Sequence, residues 1–106
     1  MVKSILTAAG IQGRRGRFTG PAPDTYVVWM DDHTTDGPDG LPAALIRHDV
    51  TLELYEVRPD DAAETALEAA IAAEGLPYTK QDRYWLQTEQ LYQVIYEFSY
   101  NEKRRT

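Results

Sequence analysis

The side chains best suited to chemistry in this sequence are its two histidines, His33 and His48. Imidazole serves as a general base and as a metal ligand, and carboxylates bind hard cations. Four aspartates surround the first histidine, at Asp31, Asp32, Asp36 and Asp39. A metal site in this acidic stretch is therefore the first chemical hypothesis, and the spacing of the ligands tests it.

The acidic stretch does not have the spacing of a calcium-binding loop. With Asp32 as its first residue, such a loop has Ala43 at position twelve, where a bidentate carboxylate is required. Residues 31–42 instead combine Asp, Gly and Pro, which are typical of turns. We therefore predict a solvated turn here and no bound metal.

Catalytic and cofactor motifs are also missing from the sequence. His48 lies on the apolar side of a predicted strand, where a histidine is more often a core or interface side chain than a base. The only serines, Ser4 and Ser99, do not lie on a nucleophile elbow, and there is no cysteine. The glycines at 10, 13 and 16 follow no predicted strand and precede no Lys-Ser/Thr pair. We predict no catalytic residue, no cofactor site and no enzyme activity.

Four predicted strands supply most of the framework. Residues 91–100 and 45–57 alternate apolar and polar side chains, the pattern of strands with one covered face. The last strand places five large apolar residues on that face, at Tyr92, Val94, Tyr96, Phe98 and Tyr100. Residues 25–30 are β-branched and aromatic, and residues 78–87 read as a further strand.

Two predicted helices complete the order of elements. Residues 1–9 have helical apolar spacing and end at Gly10. A second helix, about residues 60–74, begins at an aspartate cap with Asp61 and Glu64 at capping-box spacing and shows Glu64 to water. The order helix, strand, strand, helix, strand, strand predicts a single α+β domain over residues 1–106. Its sheet should be mostly antiparallel with about four strands, and the helices should pack on one face.

Composition excludes several classes of protein. At 106 residues the chain can bury a core without disulfides, and it has no cysteine to form one. No apolar run is long enough to span a membrane, so we expect a soluble protein made in the cytoplasm. The net charge is -6, and the acidic body between basic ends argues against a DNA-reading module.

The basic ends and two tryptophans are candidate interface residues. Residues 10–23 are rich in Gly and Pro and predict a flexible basic loop, with Arg14, Arg15 and Arg17 free to meet an acidic neighbour. A solubilising loop without a partner is the open alternative, as it is for the basic tail at 101–106. Trp29 shares a face with Val27, and Trp85 lies on the wetter face of its strand, so both are candidate anchors of an interface.

The sequence resembles the tail terminator, or tail completion, proteins of long-tailed bacteriophages and prophages over roughly residues 25–100. The resemblance rests on the first strand, the long second strand, the acid-capped helix and the last two strands. The strand segments that carry it are, in chain order, Tyr26-Val27-Val28-Trp29, Val50-Thr51-Leu52-Glu53-Leu54-Tyr55, Tyr84-Trp85-Leu86-Gln87-Thr88-Glu89 and Tyr92-Gln93-Val94-Ile95-Tyr96-Glu97-Phe98.

This resemblance implies a structural virion protein without cofactor or chemistry. It implies a homo-oligomeric ring, usually a hexamer, that caps the head-proximal end of the tail tube, contacts the tail tube protein and presents a surface to the head-tail connector protein. Genomic DNA would pass through the ring without specific contacts, and an acidic lining would prevent it from sticking. The alternatives are a phage neck or head-completion protein, a small cytoplasmic ligand-binding domain and, third, an enzyme.

Overall fold

The computed structural model describes residues 1–18, 20–36 and 45–103. These ranges form two helices and a six-stranded mixed sheet. The elements in chain order are α1 (Val2–Ala9), β1 (Gln12–Arg15), β2 (Thr25–Asp36), β3 (Leu45–Glu56), α2 (Asp61–Ala73), β4 (Tyr78–Lys80), β5 (Tyr84–Leu86) and β6 (Leu91–Lys103). The predicted α+β class is confirmed, whereas the predicted strand number of about four is too low.

The sheet has the order β1, β2, β3, β6, with both β4 and β5 paired to the outer side of β6. β2, β3 and β6 are long antiparallel strands in continuous register over twelve residues each, and β1 pairs with β2 in parallel. The predicted antiparallel arrangement therefore holds for every pair except β1 and β2. Both helices contribute to the core on one face of this sheet.

The core lies between the helices and that face. Its fully buried members include Ile5 of α1, Leu67 and Ile71 of α2, Leu52 of β3 and Tyr96 of β6. The alternation predicted for β3 and β6 is confirmed, because every second residue of each strand points into this layer. Both predicted helices are also confirmed, and no helix in the described ranges is long and apolar enough to cross a membrane.

The helix ends follow the predicted chemistry with one shift. Gly10 ends α1 in the left-handed conformation, at φ 72°, where glycine has no steric penalty. Asp60 is the N-cap of α2, and its carboxylate accepts a hydrogen bond of 3.0 Å from the backbone N–H of Ala63. The cap is thus one residue earlier than the predicted spacing of Asp61 and Glu64. Glu64 is buried, against the prediction that it faces water, because it turns toward Arg83 and Lys80 on the covered side of the sheet.

The segment 10–23, predicted as a flexible loop, contains β1. Residues 12–15 pair with residues 26–29 of β2, and this pairing needs only backbone groups, which a Gly- and Arg-rich segment supplies as well as any other. Gly13 also lies directly below α1, and a Cβ built there would collide with Leu6 Cδ1. Glycine at this position thus permits close packing of helix and strand. From the sequence alone, it was interpreted as a sign of a flexible loop.

Three further predictions at strand ends need correction. Residues 31–36 were predicted as turn but extend β2, because each pairs with a residue of β3; residues 37–42 of that turn lie outside the described residues. The strand predicted over 78–87 is two short strands, β4 and β5, that pair with different parts of β6. In the predicted basic tail 101–106, residues 101–103 belong to β6 and pair with β3, and residues 104–106 are not described.

Candidate assembly edges and polar clusters

The sheet exposes two chemically different edges. One edge is β1, whose Arg14 and Arg15 are exposed, and the other carries β5, whose Tyr84 and Trp85 are exposed. Strand order places these edges at opposite sides of the molecule, with three long strands between them. Of the predicted interface residues, the three arginines therefore lie at a basic edge and Trp85 at an aromatic edge, whereas Trp29 lies on the inner strand β2.

The basic edge consists of Arg14, Arg15 and the following Arg17, all exposed. The guanidinium of Arg14 lies 5.3 Å from the ring centroid of Phe18, and that of Arg15 lies 5.5 Å from the ring of Trp29. In the described part of the chain, none of the three arginines forms an ion pair with a carboxylate. Their positive charge is held on a paired strand and its exit, and it faces solvent.

The two tryptophans differ in accessibility. Trp29 is half-buried against the core, so its main contacts are internal. Trp85 is 37% exposed, packs against Tyr92 at a ring distance of 4.8 Å, and donates from its indole N–H to Gln87. Trp85 pairs in register with Tyr92, so it shares the helix side of the sheet and not the polar side that the sequence predicted. It is the more accessible of the two predicted anchors, and its neighbour Tyr84 is 66% exposed.

The face of the sheet opposite the helices is partly apolar. Phe18, Tyr26 and Tyr55 form an aromatic row on it, with ring distances of 4.8 Å and 5.2 Å between neighbours. Met30 on the same face is 40% exposed. Further along the strands the face becomes acidic, with Asp32, Asp49 and Glu97 around an open cleft of about 630 Å³. A second, half-apolar face was predicted from the residues of β2, and the geometry agrees.

A buried carboxyl pair lies where β3 meets α2. Glu56 is fully buried, and burial together with its hydrogen bond to Glu64 raises the pKa of Glu56 to about 7. Burial acts to raise the pKa of Glu64 as well, but hydrogen bonds from Arg83 and Lys80 lower it below its ordinary value. Arg83 reaches Glu56, Asp61 and Glu64 together. Because Glu56 has no access to solvent and all its partners belong to this chain, its charge state bears on the stability of the fold.

A second polar cluster lies at the other end of β3. His48 Nδ1 is 2.9 Å from Asp31, and its Nε2 is 3.0 Å from Glu102 Oε2. The ring of His48 stacks on Tyr100 at 4.5 Å and 3°, and exposed His33 lies at a ring distance of 5.5 Å. The sequence named both histidines but placed His33 in a turn, so it did not bring the two together. His48 is buried on the apolar face as predicted.

The interior does not favour a ligand held between helix and sheet. Fully buried side chains of both layers meet there, including Leu54, Leu67, Ile71 and Tyr96. Four clefts formed by the described residues are open to solvent, and they lie on the sheet face and around the end of α1.

Comparison with known proteins identifies the fold. No family model matches the sequence, and no curated protein matches it either. Among solved structures, the chain superposes on a chain of the virion of a native gene transfer agent (GTA) particle with a TM-score of 0.61 and 14% sequence identity. The match covers 94% of this chain and 84% of that chain. At this identity the likeness shows that the two chains share a fold over nearly their whole length.

Proposed function

We propose that this protein is a structural virion protein that forms a homo-oligomeric ring at the head-proximal end of a phage tail tube. In this role it ends tube polymerisation and joins the tail to the head connector. Support comes from the fold shared with a chain of a GTA virion and from the sequence motifs that resemble tail terminators. The absence of a catalytic motif in the sequence agrees with a role in assembly.

The proposed ring is supported mainly by the two chemically different edges of the sheet. A contact between the basic edge of one subunit and the aromatic edge of the next is heterologous, because it joins two different surfaces. Such contacts generate rings when the rotation between subunits closes. Arginine over exposed Trp85 and Tyr84 supplies a cation–π contact, and aromatic residues and arginine are the side chains most often found at interface anchors. An edge strand also offers unpaired backbone groups to a neighbour.

The acidic side of the sheet fits the passage of DNA. Asp32 and Asp49 lie directly opposite each other on β2 and β3, and Glu97 lies on β6 beside them. If this face lines the ring, its potential repels the phosphate backbone and keeps the genome from binding. The half-apolar end of the face, around Tyr26 and Tyr55, is then left for the tube protein or the connector.

The ring is tested by mixing two variants, each with one damaged edge. Trp85→Ala lacks the aromatic anchor, and the triple reversal of Arg14, Arg15 and Arg17 to Glu lacks the basic edge. We expect the wild type to form a closed ring by native mass spectrometry and negative-stain imaging, alone or on tail tubes of the same virus. Each variant alone should be monomeric. Their mixture should give a one-to-one heterodimer, since one intact edge remains on each partner.

Several outcomes would contradict this proposal. A wild type that is monomeric at high micromolar concentration with and without tubes excludes the ring, and variants that assemble normally exclude these edges. Arg58→Glu, a reversal at an exposed site on neither edge strand, is the control and should assemble like the wild type. The terminator role is tested separately: wild-type protein added to polymerising tube protein should shorten the tubes. A ring that leaves tube length unchanged would favour a neck protein.

A further inference from the structure

The residues around His48 have the geometry of a metal site. Asp31 and His33 are two residues apart on β2, and His33 is directly opposite His48 on β3. All three side chains therefore project from the same face of the sheet. Their candidate ligand atoms all lie within 4.8 Å of one another.

The donor set selects the kind of metal. Two imidazoles and a carboxylate suit zinc and similar first-row divalent ions, whereas calcium and magnesium prefer oxygen ligands alone. Zinc bonds of about 2.0–2.2 Å in tetrahedral geometry require ligand atoms roughly 3.3 Å apart. His48 Nδ1 and Asp31 are already 2.9 Å apart. His33 is exposed, so its ring is free to rotate toward them.

The surroundings of His48 also suit a metal ligand. Glu102 Oε2 is 3.0 Å from Nε2, where it accepts the Nε2–H, and Asp31 is 2.9 Å from Nδ1, the nitrogen that binds a metal once its own proton has been released. A carboxylate behind the imidazole is the usual outer partner of a metal-binding histidine, because it fixes the tautomer and the ring. Stacking on Tyr100 holds the plane of the same ring. Asp31 and Glu102 also supply negative charge that a divalent cation offsets.

We propose that Asp31, His33 and His48 bind one Zn²⁺ ion, with Glu102 as the positioning residue for His48. Exposed His33 leaves the remaining coordination position open to water or to a ligand from another molecule. This proposal departs from the sequence-based prediction of no bound metal, which was argued from the spacing of an oxygen-lined calcium loop beginning at Asp32. The proposed site uses two imidazole nitrogens and one carboxylate. It depends on the pairing of residues 31–36 with β3, a pairing that was not predicted from the sequence.

The test is titration of metal-free, untagged protein with zinc chloride by calorimetry, repeated with cobalt to read the coordination from its visible spectrum. The chain has no cysteine and no other histidine, so an imidazole ligand can only be His33 or His48. We expect one equivalent of zinc with micromolar or tighter affinity, a higher melting temperature with zinc, and no comparable effect of calcium chloride.

Variants assign the ligands. His33→Ala, at an exposed position, should weaken zinc binding by more than about 100-fold, and Glu102→Ala by roughly 10- to 100-fold. Asp31→Asn should lose binding while Asp32→Asn, its neighbour on the opposite face, should bind like the wild type. The proposal is overturned if the wild type binds no zinc below millimolar concentration. It is equally overturned if His33→Ala or Asp31→Asn binds zinc as tightly as the wild type, since the ion then lies elsewhere.

Discussion

Each end of the buried face of β3 carries a polar side chain, and the two side chains differ in how they are paired. Glu56 stands at one end and His48 at the other, with Val50, Leu52 and Leu54 between them. At the Glu56 end, α2 and Arg83 cover the carboxyl, so every partner is internal. At the His48 end the partners are Asp31, whose side chain is largely buried, and half-exposed Glu102, with exposed His33 beside them.

This difference indicates what each polar cluster contributes. A buried carboxyl pair with one shared cation is costly to disturb and offers nothing to an outside molecule. A buried imidazole with two solvent-exposed neighbours, Glu102 and His33, can change partners on its open side without unpacking the core. Changes at the Glu56 end should therefore alter the free energy of unfolding, whereas changes at the His48 end should alter binding, and the following predictions test that division in order of expected effect.

Removal of the shared cation should have the largest effect. Arg83→Met leaves Glu56 and Glu64 buried without their common partner, and we expect a loss of about 2–4 kcal/mol in the free energy of unfolding at pH 8. Urea denaturation measures it. Lys80→Met is the control, since Lys80 is more exposed and also pairs with Glu64; it should cost at most about 1 kcal/mol. Equal losses in both variants would show that Arg83 has no special role.

The pH dependence of stability should follow from Glu56. Its pKa is raised to about 7, so between its ordinary value and about 7 the folded protein holds a proton that the unfolded chain releases. Stability should therefore fall as pH rises through this window, by about 1–3 kcal/mol. The lowered pKa of Glu64 acts below its ordinary value and so outside this window.

Glu56→Gln isolates this contribution from the other carboxylates. The difference in unfolding free energy between wild type and variant, measured by urea denaturation from pH 4.5 to 8, should drift in favour of the variant as pH rises. A constant difference across that range would mean that Glu56 does not titrate there. His48 and its partners are unchanged in both proteins, so they cancel in the comparison.

Close packing of β1 should give a smaller effect at the covered side of the sheet. Gly13→Ala introduces a Cβ that meets Leu6 Cδ1, the end of a flexible side chain, and the carbonyl of Val27 at 3.3 Å. We expect a loss of about 1 kcal/mol in thermal or urea unfolding, because overpacking shifts the neighbouring groups. Gln12→Ala, exposed on the same strand, should be neutral. If both variants are as stable as the wild type, Gly13 is not packed tightly under α1, and the predicted flexible loop would describe residues 12–15 better than a strand.

The parts of the fold that could be predicted are those with local patterns. Alternation identified β3 and β6, and caps and breakers identified both helices within about one residue. β1 has no alternation and is held by pairing with residues fourteen positions away. The burial of Glu64 was missed for a similar reason, because its partner Arg83 follows nineteen residues later and reaches it only through the fold.

The histidine cluster would have been predictable if residues 31–36 had been recognised as a continuation of β2. β2 and β3 pair symmetrically, so that His33 faces His48. This register follows if residues 31–36 continue the strand before them, but their aspartates were read as turn residues. Turn propensity is a weak preference, and cross-strand pairing with β3 overrides it here. Trp85 shows the same limit, since the side of the sheet on which it lies depends on its pairing with Tyr92.

The smallest effect on stability should come from truncation of His33. This variant tests most directly whether the His48 end of β3 differs from the Glu56 end. In metal-free protein, His33→Ala should change the free energy of unfolding by less than about 0.5 kcal/mol, because an exposed side chain loses little on truncation. His48→Gln, directly across the strand pair, should cost about 1–2 kcal/mol, since a buried side chain loses its bonds to two carboxylates. A loss above about 1 kcal/mol for His33→Ala would make His33 part of the packing, and the His48 end would then serve stability as the Glu56 end does.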